Sequence, residues 1–248
     1  MVRWLPADWP APPGVVAGMT LREGGVSEGA FESLNLGAHV GDDPNAVREN
    51  RARFVDTCEL PAEPTWLTQV HGDLALVDPE PEAQADASVT RTAGRPCAVL
   101  VADCLPVILA SLDGGIVAAA HAGWRGLAAG ILENTVSAMD CDPGRLVAWL
   151  GPAISRQAFE VGEEVREAFT RHDAEASACF LRNDRGRWMA DLYGLARRRL
   201  AAAGVAQVHG GGRCTFGEPD AFFSYRRDGQ CGRMAAFVFR HPDTLEKA

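Results

Sequence analysis

Between residues 97 and 122 the sequence reads CAVLVADCLPVILASLDGGIVAAAHA, apolar runs broken only at Asp103-Cys104 and at Asp113-Gly114-Gly115. Runs this apolar read as buried strands, which with the helical segments around them support a layered α/β arrangement. Asp113-Gly114 between two such runs is a hairpin signal. Counting outward from that turn sets residues near 105 and 122 opposite each other, which makes Cys104 and His121 cross-strand neighbours.

The rest of the pattern alternates strands with helices. Strands are predicted at 14–21, 65–71 (TWLTQVH), 74–78, 97–103, 106–111, 115–121, 145–154, 207–216 and 232–240. Helices are predicted at 43–58, where Asp43 precedes Pro44, and at 125–139, 161–172 and 190–204, the last closed by Gly204. The stretch REGGVSEGAFESLNLGAHVGDD (22–43) is a loop of the length that usually serves a function. No Ser/Pro/Gly-rich linker divides the 248 residues, so one compact layered domain over 1–248 is expected.

Composition narrows the partners. A net charge of −9 with scattered arginines lacks the footprint of a nucleic-acid or anionic-membrane binder, which leaves a small-molecule substrate. The opening MVRWLPADWPAPPGVVAG has no unbroken apolar run for a signal peptide, and no stretch is long enough to span a bilayer, so a cytoplasmic location is expected. The seven cysteines form no CxxC pair and are odd in number, which argues against a disulfide framework and against a zinc ribbon.

Three residues share a position type: His71 ends TWLTQVH, His121 ends GIVAAAH, and Cys104 separates two apolar runs. A cysteine and two histidines with a fourth position open form one of the known catalytic zinc arrangements. The same residues fit a buried thiol with two surface histidines, or a metal-free hydrolase with Cys104 as nucleophile and His121 as base. A structural zinc module would call for a fourth protein ligand. Arg125 and the helix start behind His121 would attract an anionic group such as phosphate, although no GxxxxGK[ST] loop is present and a solvated first-turn arginine has the same pattern. His39, in the long loop, is a candidate substrate contact; His172 and His241 sit in polar surroundings. Asp103 reads either as a proton shuttle or as a partner of a histidine ligand.

The strings GGVSEGAFESLNLGAHVGDDPNAVRENR, TQVHG, ADASVT, VLVADCLPVIL, AAAHAGWRGLAAGI, WLGPAI and FFSYRRDGQCGRMAAFV together resemble the YfiH-like proteins, from about Arg22 to Phe239 and in matching order. That family carries the names multicopper polyphenol oxidase or laccase-domain protein, purine nucleoside phosphorylase and peptidoglycan editing factor. MTLR stands here where FTTR is common, and Cys231 where Thr is usual. The resemblance implies an α+β single domain with two packed mixed β-sheets flanked by helices. It also implies zinc held by His71, Cys104 and His121, with copper able to take its place, and substrate contacts from Asn35, His39 and Arg125. Tyr225 and Arg226 of FFSYRRDG would close the pocket. The implied activities are phosphorolysis of purine nucleosides (adenosine, inosine, guanosine, methylthioadenosine), deamination of adenosine, and hydrolytic removal of L-serine from a UDP-muramic acid precursor. A laccase is disfavoured: the trinuclear copper cluster needs His-x-His pairs, and none occurs among the six histidines.

Overall fold

Leu105–Ser111 and Val117–Ala122 form the expected hairpin in the expected register, with Leu105 opposite Ala122 and Pro106 opposite His121. Every residue of both strands is buried, as their unbroken apolar sequence requires. The structure, a computed structural model, describes residues 1–242. In chain order its elements are β1 (Trp4–Pro6), β2 (Val15–Thr20), α1 (Pro44–Thr57), β3 (Ala75–Val77), β4 (Ala87–Thr90), β5 (Cys97–Val101), β6 (Leu105–Ser111), β7 (Val117–Ala122), α2 (Trp124–Ala129), α3 (Ile131–Ala138), β8 (Leu146–Leu150), β9 (Glu160–Val161), α4 (Glu163–Thr170), β10 (Phe180–Arg182), β11 (Trp188–Ala190), α5 (Leu192–Ala202), β12 (Gln207–Gly210), α6 (Tyr225–Asp228) and β13 (Met234–Arg240).

Six strands make a mixed sheet in the order β12-β8-β6-β7-β4-β3, and four make a second sheet in the order β1-β2-β13-β5. Period-two alternation sorts each strand between compartments. Met234, Ala236 and Val238 of β13 join Ile108, Ala110, Val117 and Ala119 in an apolar layer between the sheets. Ala235, Phe237 and Phe239 point the other way and pack with Phe54 of α1 and with Leu34 and Leu36 of the long loop. On the far side of the six-stranded sheet, Val107 and Leu109 meet Leu127, Ile131, Leu132, Leu195 and Leu200 of the helices. The layers therefore run helix, sheet, sheet, helices, a mixed α+β arrangement.

Several elements differ from the sequence reading. The four-stranded sheet is antiparallel throughout rather than mixed, because β13 enters between β2 and β5 and runs opposite to both. Residues 65–71 form no strand and keep only a bridge from Thr68 to Gln84. The amides of Val70, His71 and Gly72 instead donate to the Asp86 carboxylate, which takes the place of a ladder partner. The helix expected over 125–139 breaks at Gly130, whose φ of 110° suits a residue without Cβ, into α2 and α3. A small antiparallel sheet, β10-β11-β9, comes from segments too short to show a period.

Candidate metal centre

Three ends of structure converge at one edge of the hairpin. Cys104 sits in the turn from β5 to β6, His121 is the penultimate residue of β7 and is 3% exposed, and His71 lies in the loop ahead of β3 with φ at 60°. One ligand atom from each lies within 4.8 Å of the others, the Cys104 Sγ to His71 Nε2 distance is 3.9 Å, and the two imidazole rings meet edge-on with centroids 4.7 Å apart. Tetrahedral zinc with ordinary bond lengths sets such N and S atoms about 3.5 Å apart, so a contraction of a few tenths of an ångström between Cys104 and His71 would complete that edge.

Asp86 organises this edge. It is fully buried; Oδ1 accepts from the His71 amide at 2.9 Å and faces His121 Nδ1 at 2.8 Å, while Oδ2 accepts from the amides of Val70 at 3.1 Å and Gly72 at 2.7 Å. A carboxylate on Nδ1 fixes the tautomer in which Nε2 is free for a metal, the usual support of a histidine ligand. The glycines of HAGWRG are there for close approach: a Cβ on Gly123 would stand 3.0 Å from Cys104 Sγ, and one on Gly126 would stand 2.5 Å from the Gly72 carbonyl oxygen.

The electrostatics match the geometry. Burial disfavours the Cys104 thiolate, yet His121 and His71 beside it outweigh that and bring its pKa down to about 6. Burial likewise disfavours a charged His121, but the Cys104 thiolate and Asp86 raise its pKa to about 9. In metal-free protein, iodoacetamide at pH 7 is therefore expected to modify Cys104 ahead of Cys58 and Cys97, whose thiols burial pushes up to about 12. Because a depressed thiol pKa leaves thiolate above it, the rate should hold down to about pH 6 and then fall about tenfold per unit. Peptide mapping by mass spectrometry would show this, and a half-point near 8.5, the ordinary thiol value, would contradict the ion pair.

A cavity of about 340 Å³ opens over the cluster, with His39, Gln69, Tyr225 and Arg233 on its wall beside the three candidate ligands. His39 thus reaches the place expected of it; burial first, then Arg233 and Arg51, lower its pKa and keep its ring neutral. Asn35 does not reach the wall. It is fully buried, donates to the Asp42 carboxylate at 2.9 Å, and accepts from the amides of Gly37 and Arg233, each at 2.9 Å. Arg125 is exposed, lies over the Trp124 ring at 4.4 Å, and is not among the residues that line the cavity. The Asp103 carboxylate is held by the Thr215 and Ser224 hydroxyls and the Arg226 amide rather than by a histidine, an arrangement that anchors the start of α6 and sets Tyr225 at the cavity. Arg226 itself reaches the Glu160 carbonyl. A larger groove of about 910 Å³ runs along α1 and holds none of the three candidate ligands.

Asp86, Gln69 and Arg233 escaped the sequence reading. Asp86 was visible as the acidic residue directly ahead of β4, and Gln69 as the residue two before His71, where its amide clamps the Leu100 backbone on the edge of β5. Arg233 directly precedes β13 and carried no local signal.

Residues 16–241 match the family described as multi-copper polyphenol oxidoreductase laccase. The chain belongs to this family. A relative in Escherichia coli (strain K12), named purine nucleoside phosphorylase YfiH, is 53% identical over 242 residues, which span 96% of this chain and 99% of that one. A Pseudomonas aeruginosa relative, also named a purine nucleoside phosphorylase, is 52% identical with the same coverage. Among solved structures, a DUF152-family protein of Neisseria meningitidis superposes with a TM-score of 0.91 at 50% identity, covering 96% of this chain and 99% of that one. YlmD of Geobacillus stearothermophilus gives 0.91 at 33% identity, covering 96% of each. The family shares the α+β fold, and the His71–Cys104–His121 cluster is the feature of this chain that fits a metal-using member.

Proposed function

We propose that this chain is a zinc-dependent purine nucleoside phosphorylase acting on adenosine, inosine, guanosine and methylthioadenosine, with adenosine deaminase activity at the same centre. The observation that carries the reading is the cluster of His71, Cys104 and His121 at a cavity wall, with Asp86 behind His121. Its support from kinship is the name that relatives above half identity bear. One thiolate and two imidazoles form a donor set that suits zinc, and copper would compete for it in vitro because N/S sites bind copper more tightly. Bound there, the metal would supply Lewis-acid polarisation of an oxygen held beside it.

The remaining work falls to the protein's own groups. Asp86 holds the His121 ring in one orientation, Asp103 places Tyr225 on the cavity wall, and neutral His39 can both donate to and accept from a hydroxyl or a ring nitrogen. The partners are then a purine nucleoside and phosphate. Inosine cleavage is expected to need phosphate and to yield hypoxanthine with ribose 1-phosphate, whereas adenosine deamination should persist without phosphate and both should stop after chelation. Chromatography of products from metal-loaded protein, with phosphate varied, tests this. Free ribose in place of ribose 1-phosphate would overturn the phosphorylase reading.

The order thiol, imidazole, carboxylate in Cys104, His121 and Asp86 also supports a second reading, a cysteine hydrolase without metal. A covalent acyl adduct on Cys104 in chelator-treated, active protein would favour it. Serine release from a UDP-muramyl substrate by metal-loaded protein that leaves nucleosides intact would favour the editing amidase instead.

A further inference from the structure

We propose that Arg233 binds the phosphoryl oxygens of the anionic substrate in the cavity, an inference that rests on the phosphorylase reading for its choice of phosphate. Arg233 is the one permanent cation on the wall, and none of the described wall residues is a carboxylate. In a chain of net charge −9, a wall with a cation and no carboxylate favours an anion over a cation. Arg198, Arg199, Arg213 and Arg227 each hold a carboxylate, whereas the hydrogen bonds of the Arg233 side chain to oxygen go to the carbonyls of Cys231 and Gly232, both from Nη1.

The position is also prepared in advance. The Arg233 amide donates to Oδ1 of buried Asn35, whose own amide is tied to Asp42, and the guanidinium carbon lies 5.9 Å from the centre of the Tyr225 ring. One edge of the guanidinium is thus fixed to backbone while the rest of the planar fork can take two oxygens of a phosphate side by side. Asn35 is in this way a positioning residue, which gives a physical role to a side chain that never reaches the cavity.

In the reaction, an oxygen of hydrogen phosphate bonds to C1′ of the ribose as the C1′–N9 bond breaks. The electron pair leaves with the purine, and the proton that phosphate loses ends on the purine nitrogen. Arg233 would hold the non-reacting oxygens of that phosphate. The same chemistry could bind the phosphoryl group of a nucleotide-like substrate, so the test carries both sources.

Arg233→Gln is expected to raise KM for phosphate in inosine cleavage by roughly tenfold to a hundredfold, a scale set by loss of a bidentate charged contact. Metal content should stay near wild type, KM for phosphate should rise by at least tenfold more than KM for inosine, and Arg233→Lys should recover part of the loss. Calorimetric titration of the metal-loaded protein with inorganic phosphate, and separately with inosine 5′-monophosphate, reads binding without turnover. Phosphate heat lost in Arg233→Gln supports the co-substrate source, and nucleotide heat alone lost supports the other. If wild-type protein cleaves no nucleoside, the phosphorylase reading fails, yet the titrations still decide about Arg233. Absent binding, equal binding in both proteins, or a phosphate KM that responds to Arg125→Ala and not to Arg233→Gln would overturn the assignment.

Discussion

Proteins carrying Cys104→Ser, His71→Ala or His121→Ala are each expected to lose the bound metal and to fall by roughly a thousandfold or more in kcat/KM, since a Lewis acid supplies several kcal/mol of transition-state stabilisation and each 1.4 kcal/mol is about tenfold. The three should separate in stability. His71 is exposed in a loop and Cys104 is half-buried in a turn, so their variants keep the wild-type melting temperature of the metal-free protein within a few degrees. His121 is buried against Asp86, and its removal leaves a buried carboxylate without its side-chain partner. That variant alone should melt lower. Elemental analysis beside thermal denaturation checks both halves, and full metal content in all three variants would refute the ligand set.

How much of this was legible in the sequence depends on whether the information is local. The hairpin was legible because its turn, its apolar length and its register are all set by neighbours in the chain, and so the approach of Cys104 to His121 followed. The third candidate, His71, does lie beside the other two, but on a different backbone from the one expected. It was read as the end of a strand, whereas the chain there is open and held by a side chain from another segment. A carboxylate that replaces a strand partner leaves no period in the sequence it supports. Arg125 and Arg233 show the same limit. The first stands beside the cluster in sequence and points to solvent, while the second is distant in sequence and reaches the cavity because β13 returns to the middle of the four-stranded sheet.

Asp86→Ala should be the most damaging single change outside the ligands, because one fully buried carboxylate satisfies three backbone amides and the His121 ring at once. Each such donor left without an acceptor costs about 1–3 kcal/mol, and the amides of this loop can partly regain water, so a net loss of about 3–5 kcal/mol is expected for the metal-free protein. Metal affinity should drop on top of that by roughly 10–100-fold, the usual effect of losing a ligand's supporting carboxylate. Asp86→Asn is not a mild substitute, since its amide nitrogen would face donors on one side; it should lose about half as much stability and nearly as much metal affinity. The pH dependence gives the sign. Burial opposes the Asp86 charge, but His121 and the loop amides outweigh it and hold its pKa below the ordinary value, so its stabilisation is complete above about pH 4 and is lost as pH falls through the lower folded value. The His121 share runs the other way: it is complete below about pH 6.5 and is lost as pH rises through the raised folded pKa of about 9. Urea unfolding of chelated wild-type and Asp86→Ala proteins should therefore show the widest gap near pH 5–6 and a narrower one at pH 10. A gap that is constant over that range would mean that Asp86 supports the loop alone and does not pair with a charged His121.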